Sequence, residues 1–212
     1  PFLACLAALI AASVSQPAEA TAPKVGHVFI IVLENESLDR TFGARSPAQY
    51  LKSLARKGAL LRNYYAIGHN SLGNYIAMVS GQAPNPATQA DCRNYVDFIA
   101  TGTDKDGQAL GQGCIYPKSI RTIASQIEHK SNGLTWKAYM EDMGNKVERE
   151  RPTCGHPPIG KRDNTQKADA ADQYATRHNP FMYFHSVIDD EATCDAHVVN
   201  LSKLADDIKN EK

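Results

Sequence analysis

Glu34 and Asn35 stand directly behind Val28-Phe29-Ile30-Ile31-Val32-Leu33, a carboxylate and an amide at the point where an unbroken apolar run stops. Six consecutive apolar residues rich in Val and Ile predict a strand buried on both faces. Such strands occur mostly in parallel sheets, whose ligands gather at the carboxyl ends. The pair therefore lands on a favoured edge for binding, although acidic and amide residues are also ordinary strand terminators. A second segment, His69-Asn70-Ser71-Leu72-Gly73-Asn74-Tyr75, opens an apolar helical run that reaches Gly81. Ser71 is predicted at the N-terminus of that helix, and the place has two readings. Serine is a preferred N-cap, while the free N–H groups and positive dipole end of a helix also make a natural phosphate site. A serine hydroxyl is a weak nucleophile near neutral pH and needs an adjacent base or a metal ion to activate it. No Ser-His-Asp order is evident around Ser71.

These strings resemble a known family. Glu34-Asn35, Ser37-Leu38-Asp39 and Phe42-Gly43 behind a hydrophobic strand are similar to the opening motif of the bacterial phosphoesterase family. That family contains acid phosphatases and phospholipases C and belongs to the alkaline-phosphatase superfamily. Ser71-Leu72-Gly73-Asn74-Tyr75 resembles its Ser-x-Pro-Asn-Tyr segment, with Gly73 replacing the usual proline by a permissive but less rigid residue. Asn179-Pro180-Phe181-Met182-Tyr183-Phe184 resembles its Asn-Pro-Phe-x-Tyr-Phe segment.

The resemblance implies that Glu34 and Asn35 bind a divalent metal ion, which would also meet the Ser71 oxygen. It implies Ser71 as the nucleophile, through a phosphoseryl intermediate, and Asn74 as the donor that holds a phosphoryl oxygen. Oxygen ligands of this kind suit many divalent ions, so the metal's identity stays open. His185, at the edge of the third segment, is a candidate to contact phosphate or protonate the leaving alkoxide, set against the commoner case of a surface or satisfied core histidine. His69 and His178 rank below it.

The implied function is a secreted, metal-dependent phosphoric-ester hydrolase of the acid-phosphatase kind, acting on a small phosphorylated substrate. Two alternatives stand beside it: a phospholipase C acting on lipid headgroups, and a non-catalytic extracellular phosphate-binding protein on the same fold. The superfamily completes its metal site with Asp and His residues on late strands, and the expectation is that these lie beyond Lys212. Asp189-Asp190 and Asp206-Asp207 read instead as solvated carboxylates. A chain with half its ligands is expected to bind metal weakly and to turn over little substrate.

The elements that must position these residues follow from periodicity. After the first strand, Ser46-Pro47 should start a helix carrying Tyr50, Leu51 and Leu54 and ending at Gly58. Residues 59–66 read as a second strand, giving a βαβ unit and hence a parallel sheet. A Gly- and Pro-rich insertion covers 81–113, with a turn at Asp104-Lys105-Asp106-Gly107. Ser119 should cap a helix bearing Ile120, Ile123 and Ile127 that ends at Asn132-Gly133, followed by a strand over 134–140. Residues 141–167 read as a charged surface excursion, and Leu201, Leu204 and Ile208 mark a last helix. The fold class is therefore α/β, a partial alkaline-phosphatase-like sandwich with a mostly parallel central sheet and helices on both faces.

Composition bounds what remains. The chain has 212 residues, 42% of them hydrophobic, with 23 basic and 23 acidic side chains, so no electrostatic footprint for nucleic acid is present. Residues 1–20 read as a secretory signal peptide whose start is missing, an apolar stretch followed by Ala18-Glu19-Ala20. The stretch is too short to span a bilayer comfortably, so no stable membrane insertion of the mature chain is expected. The resemblance implies that residues 21–212 are the N-terminal part of a phosphoesterase domain whose C-terminal part is missing. Export would place Cys92, Cys114, Cys154 and Cys194 in an oxidising compartment, and of the three pairings four cysteines allow, Cys92 with Cys114 and Cys154 with Cys194 is preferred. The sequence sets no oligomeric state.

Overall fold

The computed structural model describes residues 25–34, 36–129, 133–168 and 170–210, so the expected signal peptide, Asn35 and Asn132 lie outside the described residues. The chain divides into two units, Pro1–Arg62 and Asn63–Lys212.

In the first unit, α1 (Leu38–Phe42) is capped by Ser37, whose hydroxyl accepts the Arg40 amide at 3.3 Å. Helix α2 (Gln49–Lys57) follows and stops at Gly58, as the spacing predicts. Its entry is built differently from the expected Ser-Pro start: Ser46 donates to Thr41 O at 2.7 Å and accepts the Ala48 amide at 3.0 Å, so it shapes the turn one step before the helix. The apolar run Val28–Leu33 is not a strand. It joins no ladder among the described residues, and its side chains are exposed, Ile31 to 81%. Apolar side chains alone do not make a strand; a strand exists where a neighbouring backbone takes up its N–H and C=O groups. The expected strand over 59–66 is likewise unpaired, with Leu61, Tyr64 and Tyr65 exposed.

The second unit mixes helix and strand around one core. Helix α3 (Ser71–Ser80) buries Leu72, Tyr75 and Ile76 and ends at Gly81, whose φ of 71° is the left-handed turn that glycine adopts without strain. Helix α4 (Pro86–Gln89) is opened by a capping box between Asn85 and Thr88. Strand β1 (Asn94–Tyr95) precedes the hairpin β2 (Ile99–Thr103) and β3 (Ala109–Gln112), whose turn holds the predicted Asp104–Gly107 sequence. Helix α5 (Ile123–His129) is entered through Thr122 and Ser125, each accepting the other's amide, rather than through Ser119.

Strands β4 (Ala138–Met140) and β5 (Lys161–Arg162) come next, followed by two 3₁₀ turns, Thr176–His178 and Pro180–Tyr183. Helices α6 (His185–Ile188) and α7 (Glu191–His197), strand β6 (Val198–Asn200) and α8 (Leu204–Lys209) complete the unit.

The ladders among the described residues are three pairs: β1 with β5 and β2 with β3, both antiparallel, and β4 with β6, parallel. A mostly parallel central sheet is therefore not what these residues form. Among the described residues the strands run two to five residues and pair only two by two, and the core is closed instead by irregular segments. The Asn-Pro-Phe segment is the clearest case: Met182, Tyr183 and Phe184 are fully buried in a 3₁₀ turn and a single bridge to Tyr116. Tyr116 stacks between Phe98 and Phe184, at 4.6 and 5.5 Å. Residues 141–167, expected as a surface excursion, bury Met143, Glu150, Cys154, Asp163 and Thr165, and hold little regular structure because polar side chains satisfy their backbone. Both preferred disulfides are present, Cys92–Cys114 and Cys154–Cys194.

Candidate functional site

Ser71 is the first residue of α3, one place inside the cap. The cap position belongs to Asn70, and its side chain does not cap; its amide donates to Gln89 O at 2.7 Å. The helix is capped from elsewhere in the chain, because the Leu72 amide donates to Asp91 Oδ1 at 3.0 Å. A carboxylate there satisfies an orphan donor and complements the positive end of the helix. The Ser71 hydroxyl meets a different partner: His178 Nε2 lies 3.2 Å from its Oγ. That imidazole also stacks on Tyr75, one turn along the same helix, with ring centroids 5.5 Å apart. Ser71 and His178 are each half-buried, within hydrogen-bond reach of one another and shielded on one side by an aromatic ring.

Asn74 sits on the same helical face, and its side chain is engaged by the loop leading into α3. Its Oδ1 accepts the amides of Ile67 and Gly68 at 2.8 and 3.1 Å, and its Nδ2 donates to Gly68 O and Asn70 O at 3.0 and 2.9 Å. Both amide hydrogens are thus used within the loop, and the residue holds the approach to Ser71 in shape. Gly73 packs on Pro84: a Cβ at position 73 would sit 3.0 Å from the proline ring. That contact gives the glycine a physical reason where the resembled segment has proline. Beside these residues lies a cleft of about 280 Å³ lined by Gly68, His69, Asn70, Gly73, Pro84 and Gln89.

His185 takes a different place. It begins α6, with Nδ1 2.7 Å from Asp189 and Nε2 3.1 Å from Asp97. Two carboxylates facing two ring nitrogens require both nitrogens to donate, which is the imidazolium. Partial desolvation works against that charge, but the hydrogen bonds to Asp189 and Asp97 outweigh it and hold the pKa above the ordinary histidine value. The imidazole within hydrogen-bond reach of the Ser71 hydroxyl is that of His178 instead.

Glu34 lies exposed in the first unit and Asn35 outside the described residues. Among the described residues no group of three or more His, Cys, Asp and Glu is placed to hold a metal ion. The carboxylate, amide and hydroxyl oxygens of Glu34, Asn35 and Ser71 are nonetheless the hard donors that a divalent cation takes.

From sequence, His178 stands below His185 as a candidate and Asp91 is not one. For His178 a signal existed, its position next to the Asn179-Pro180 motif. Asp91 carries none, since only the folded chain brings it to a helix 19 residues earlier.

A model of the phosphoesterase family matches residues 44–212. The chain is 28% identical to a probable acid phosphatase of Kluyveromyces lactis over 95% of its own length and 39% of the relative's. It is 31% identical to a phosphate-repressible acid phosphatase of Penicillium chrysogenum over 76% of its length and 30% of the relative's. A third relative, an acid phosphatase of Aspergillus niger, is 26% identical over 86% of the chain and 34% of its own length. The chain thus spans about a third of the length of these fungal relatives. No solved structure matches it.

Proposed function

The chain belongs to the phosphoesterase family, and from that premise we propose that it carries the nucleophile-bearing part of an acid-phosphatase-like hydrolase of phosphoric esters. One observation carries the reading: the Ser71 hydroxyl at the start of α3, 3.2 Å from the imidazole of His178. In this reading Ser71 Oγ attacks phosphorus while His178 Nε2 takes the hydroxyl proton, and as the bond from phosphorus to the ester oxygen breaks His178 passes that proton to the departing alkoxide. Water then attacks the phosphoseryl phosphorus, His178 takes the proton of the water, and the same proton goes to the Ser71 oxygen as the bond from phosphorus to Oγ breaks. The proton role expected of His185 passes to His178. Asn74 serves the phosphoryl group through the loop it holds, and as a direct donor only where it releases Gly68 O or Asn70 O.

Glu34 and Asn35 are proposed as metal ligands on the resemblance of their segment, and Ser71 as the hydroxyl that a divalent ion would activate. When bound, such an ion favours the ionised hydroxyl and offsets substrate charge. A small, soluble monoester suits the cleft, whose lining is backbone, imidazole, amide and one proline rather than an apolar mouth for lipid. Secretion is part of the proposal, and the two disulfides support it.

The test uses the protein as its gene encodes it, with p-nitrophenyl phosphate and phosphatidylcholine as substrates. Ser71→Ala is expected to remove turnover of the monoester, and His178→Ala to lower kcat by about a hundredfold. Full activity of Ser71→Ala refutes the serine mechanism. Preference for phosphatidylcholine would favour a phospholipase C, and phosphate capture without turnover a binding protein.

A further inference from the structure

Asp91 is a non-glycine residue in the left-handed region, with φ of 56°, and Cys92 beside it has φ of 46°. Two such residues in succession are costly and persist only where the surroundings hold them. Here Cys92 is held by its disulfide to Cys114, and the Asp91 amide donates to Thr88 O at 3.1 Å. Asp91 Oδ1 accepts the Leu72 amide at 3.0 Å, and Oδ2 faces Arg177 Nε at 4.0 Å. Its backbone carbonyl accepts Gln166 Nε2 at 3.0 Å, while Gln166 O accepts Arg177 Nη1 at 3.0 Å. The covalent neighbours of these two contacts are Ser71 and His178. Ser71-Leu72, Asp91, Arg177-His178 and back to Ser71 therefore form a closed ring of contacts, with the acting pair on one side and Asp91 opposite.

We propose that Asp91 is a positioning residue for phosphoryl transfer, fixing the first turn of α3 against the Arg177-His178 segment so that the Ser71 hydroxyl and the His178 imidazole meet. The proposal rests on the serine reading above. The essential element is the acceptor oxygen at the Leu72 amide, held there by a backbone conformation that the neighbouring disulfide stabilises. The Asp91 carboxylate is turned to the protein, Oδ1 on the Leu72 amide and Oδ2 facing Arg177, which separates positioning from substrate binding.

Two substitutions isolate the acceptor. Asp91→Gly removes it while accepting the positive φ, and Asp91→Asn keeps an acceptor oxygen and tolerates the same conformation. In the full-length protein, Asp91→Gly is expected to lower kcat about tenfold or more with KM within about twofold, and Asp91→Asn to stay within about threefold of the parent in both. Exchange of the Leu72 amide proton should accelerate about tenfold in the glycine variant and not in the asparagine variant. Parental kcat in Asp91→Gly overturns the proposal, as does an asparagine variant as slow as the glycine one. Should the glycine variant fail to fold, the asparagine kinetics and Leu72 exchange decide alone. Ser71→Ala measured alongside keeps the premise separate: if it retains turnover, the serine reading fails whatever Asp91 does.

Discussion

Glu150 is one residue whose surroundings make a sharp claim about pH. It is buried, its Oε1 accepts the Gly144 amide at 2.8 Å, and nearby Asp172 is fully buried and paired with Arg149 at 2.8 Å. Burial pushes the Glu150 carboxyl from 4.5 up to about 7, the Asp172 charge adding to the rise while the Gly144 amide and the Arg149 charge oppose it. For an acid raised in the folded state, the contribution to stability is complete below the unfolded value and is lost as pH climbs through about 7. The protein is therefore stabilised by this group on the acid side. Glu150→Gln keeps an acceptor for Gly144 and no longer titrates. It should match the parent near pH 4 and exceed it at pH 8 by up to about 3 kcal/mol. Urea midpoints across that range check this, and parallel curves for the two proteins would refute it.

At the scale of elements, α3 is tied at its far end by two glutamines that each bind the backbone on either side of the other. Gln82 Nε2 donates to Gly107 O at 3.2 Å and its Oε1 accepts the Ala109 amide at 2.7 Å. Gln108 reciprocates with Gly81 O at 3.1 Å and the Ala83 amide at 2.6 Å. The clasp joins the β2–β3 hairpin to the segment that returns along α3 to Pro84, the proline packed on Gly73. Gln108→Ala should cost about 1–2 kcal/mol, since two hydrogen bonds are lost at a site water can partly reach. Amide exchange at Ala83 should rise while that in the middle of α3 holds; unchanged exchange at Ala83 would show that the clasp holds nothing.

Which elements could be read from sequence follows the same physics. Helices α2 and α3 were legible because apolar spacing and a terminal glycine are local signals. Both cysteine pairs were legible because each closes one loop. The strands were not: a ladder of two or three residues is specified by its partner, and an apolar run such as Val28–Leu33 has strand composition without a partner among the described residues. The candidate site divides in the same way, with Ser71 and Asn74 placed by their own helix, while the contacts of His178 and Asp91 depend on chain 107 and 19 residues away, respectively.

Over the whole of the second unit, regular structure is thin and a large share of the core is carried by irregular segments such as 141–163 and 179–184. Such a fold has few ladders to resist opening, and its two disulfides close loops with sequence separations of 22 and 40 residues. Loop-closure entropy assigns them about 3 and 4 kcal/mol respectively, against the roughly 5–15 kcal/mol by which a domain is stable at all. The larger loop ties α7 to the irregular segment around Cys154, where Arg151 adds ion pairs to Glu191 and Asp195 that are exposed enough to contribute little. Cys154→Ser with Cys194→Ser should therefore lower stability by about 4 kcal/mol. Reduction of both bridges should leave little cooperative unfolding at 37 °C. Because Cys92 also fixes the turn that holds Asp91 against Leu72, loss of the Cys92–Cys114 bridge should speed Leu72 amide exchange beyond what the global destabilisation explains, whereas loss of Cys154–Cys194 should not. Calorimetry with and without reductant, joined to exchange at Leu72, separates the two bridges. Equal Leu72 exchange in both double variants at matched stability would mean that the first bridge is a staple and nothing more.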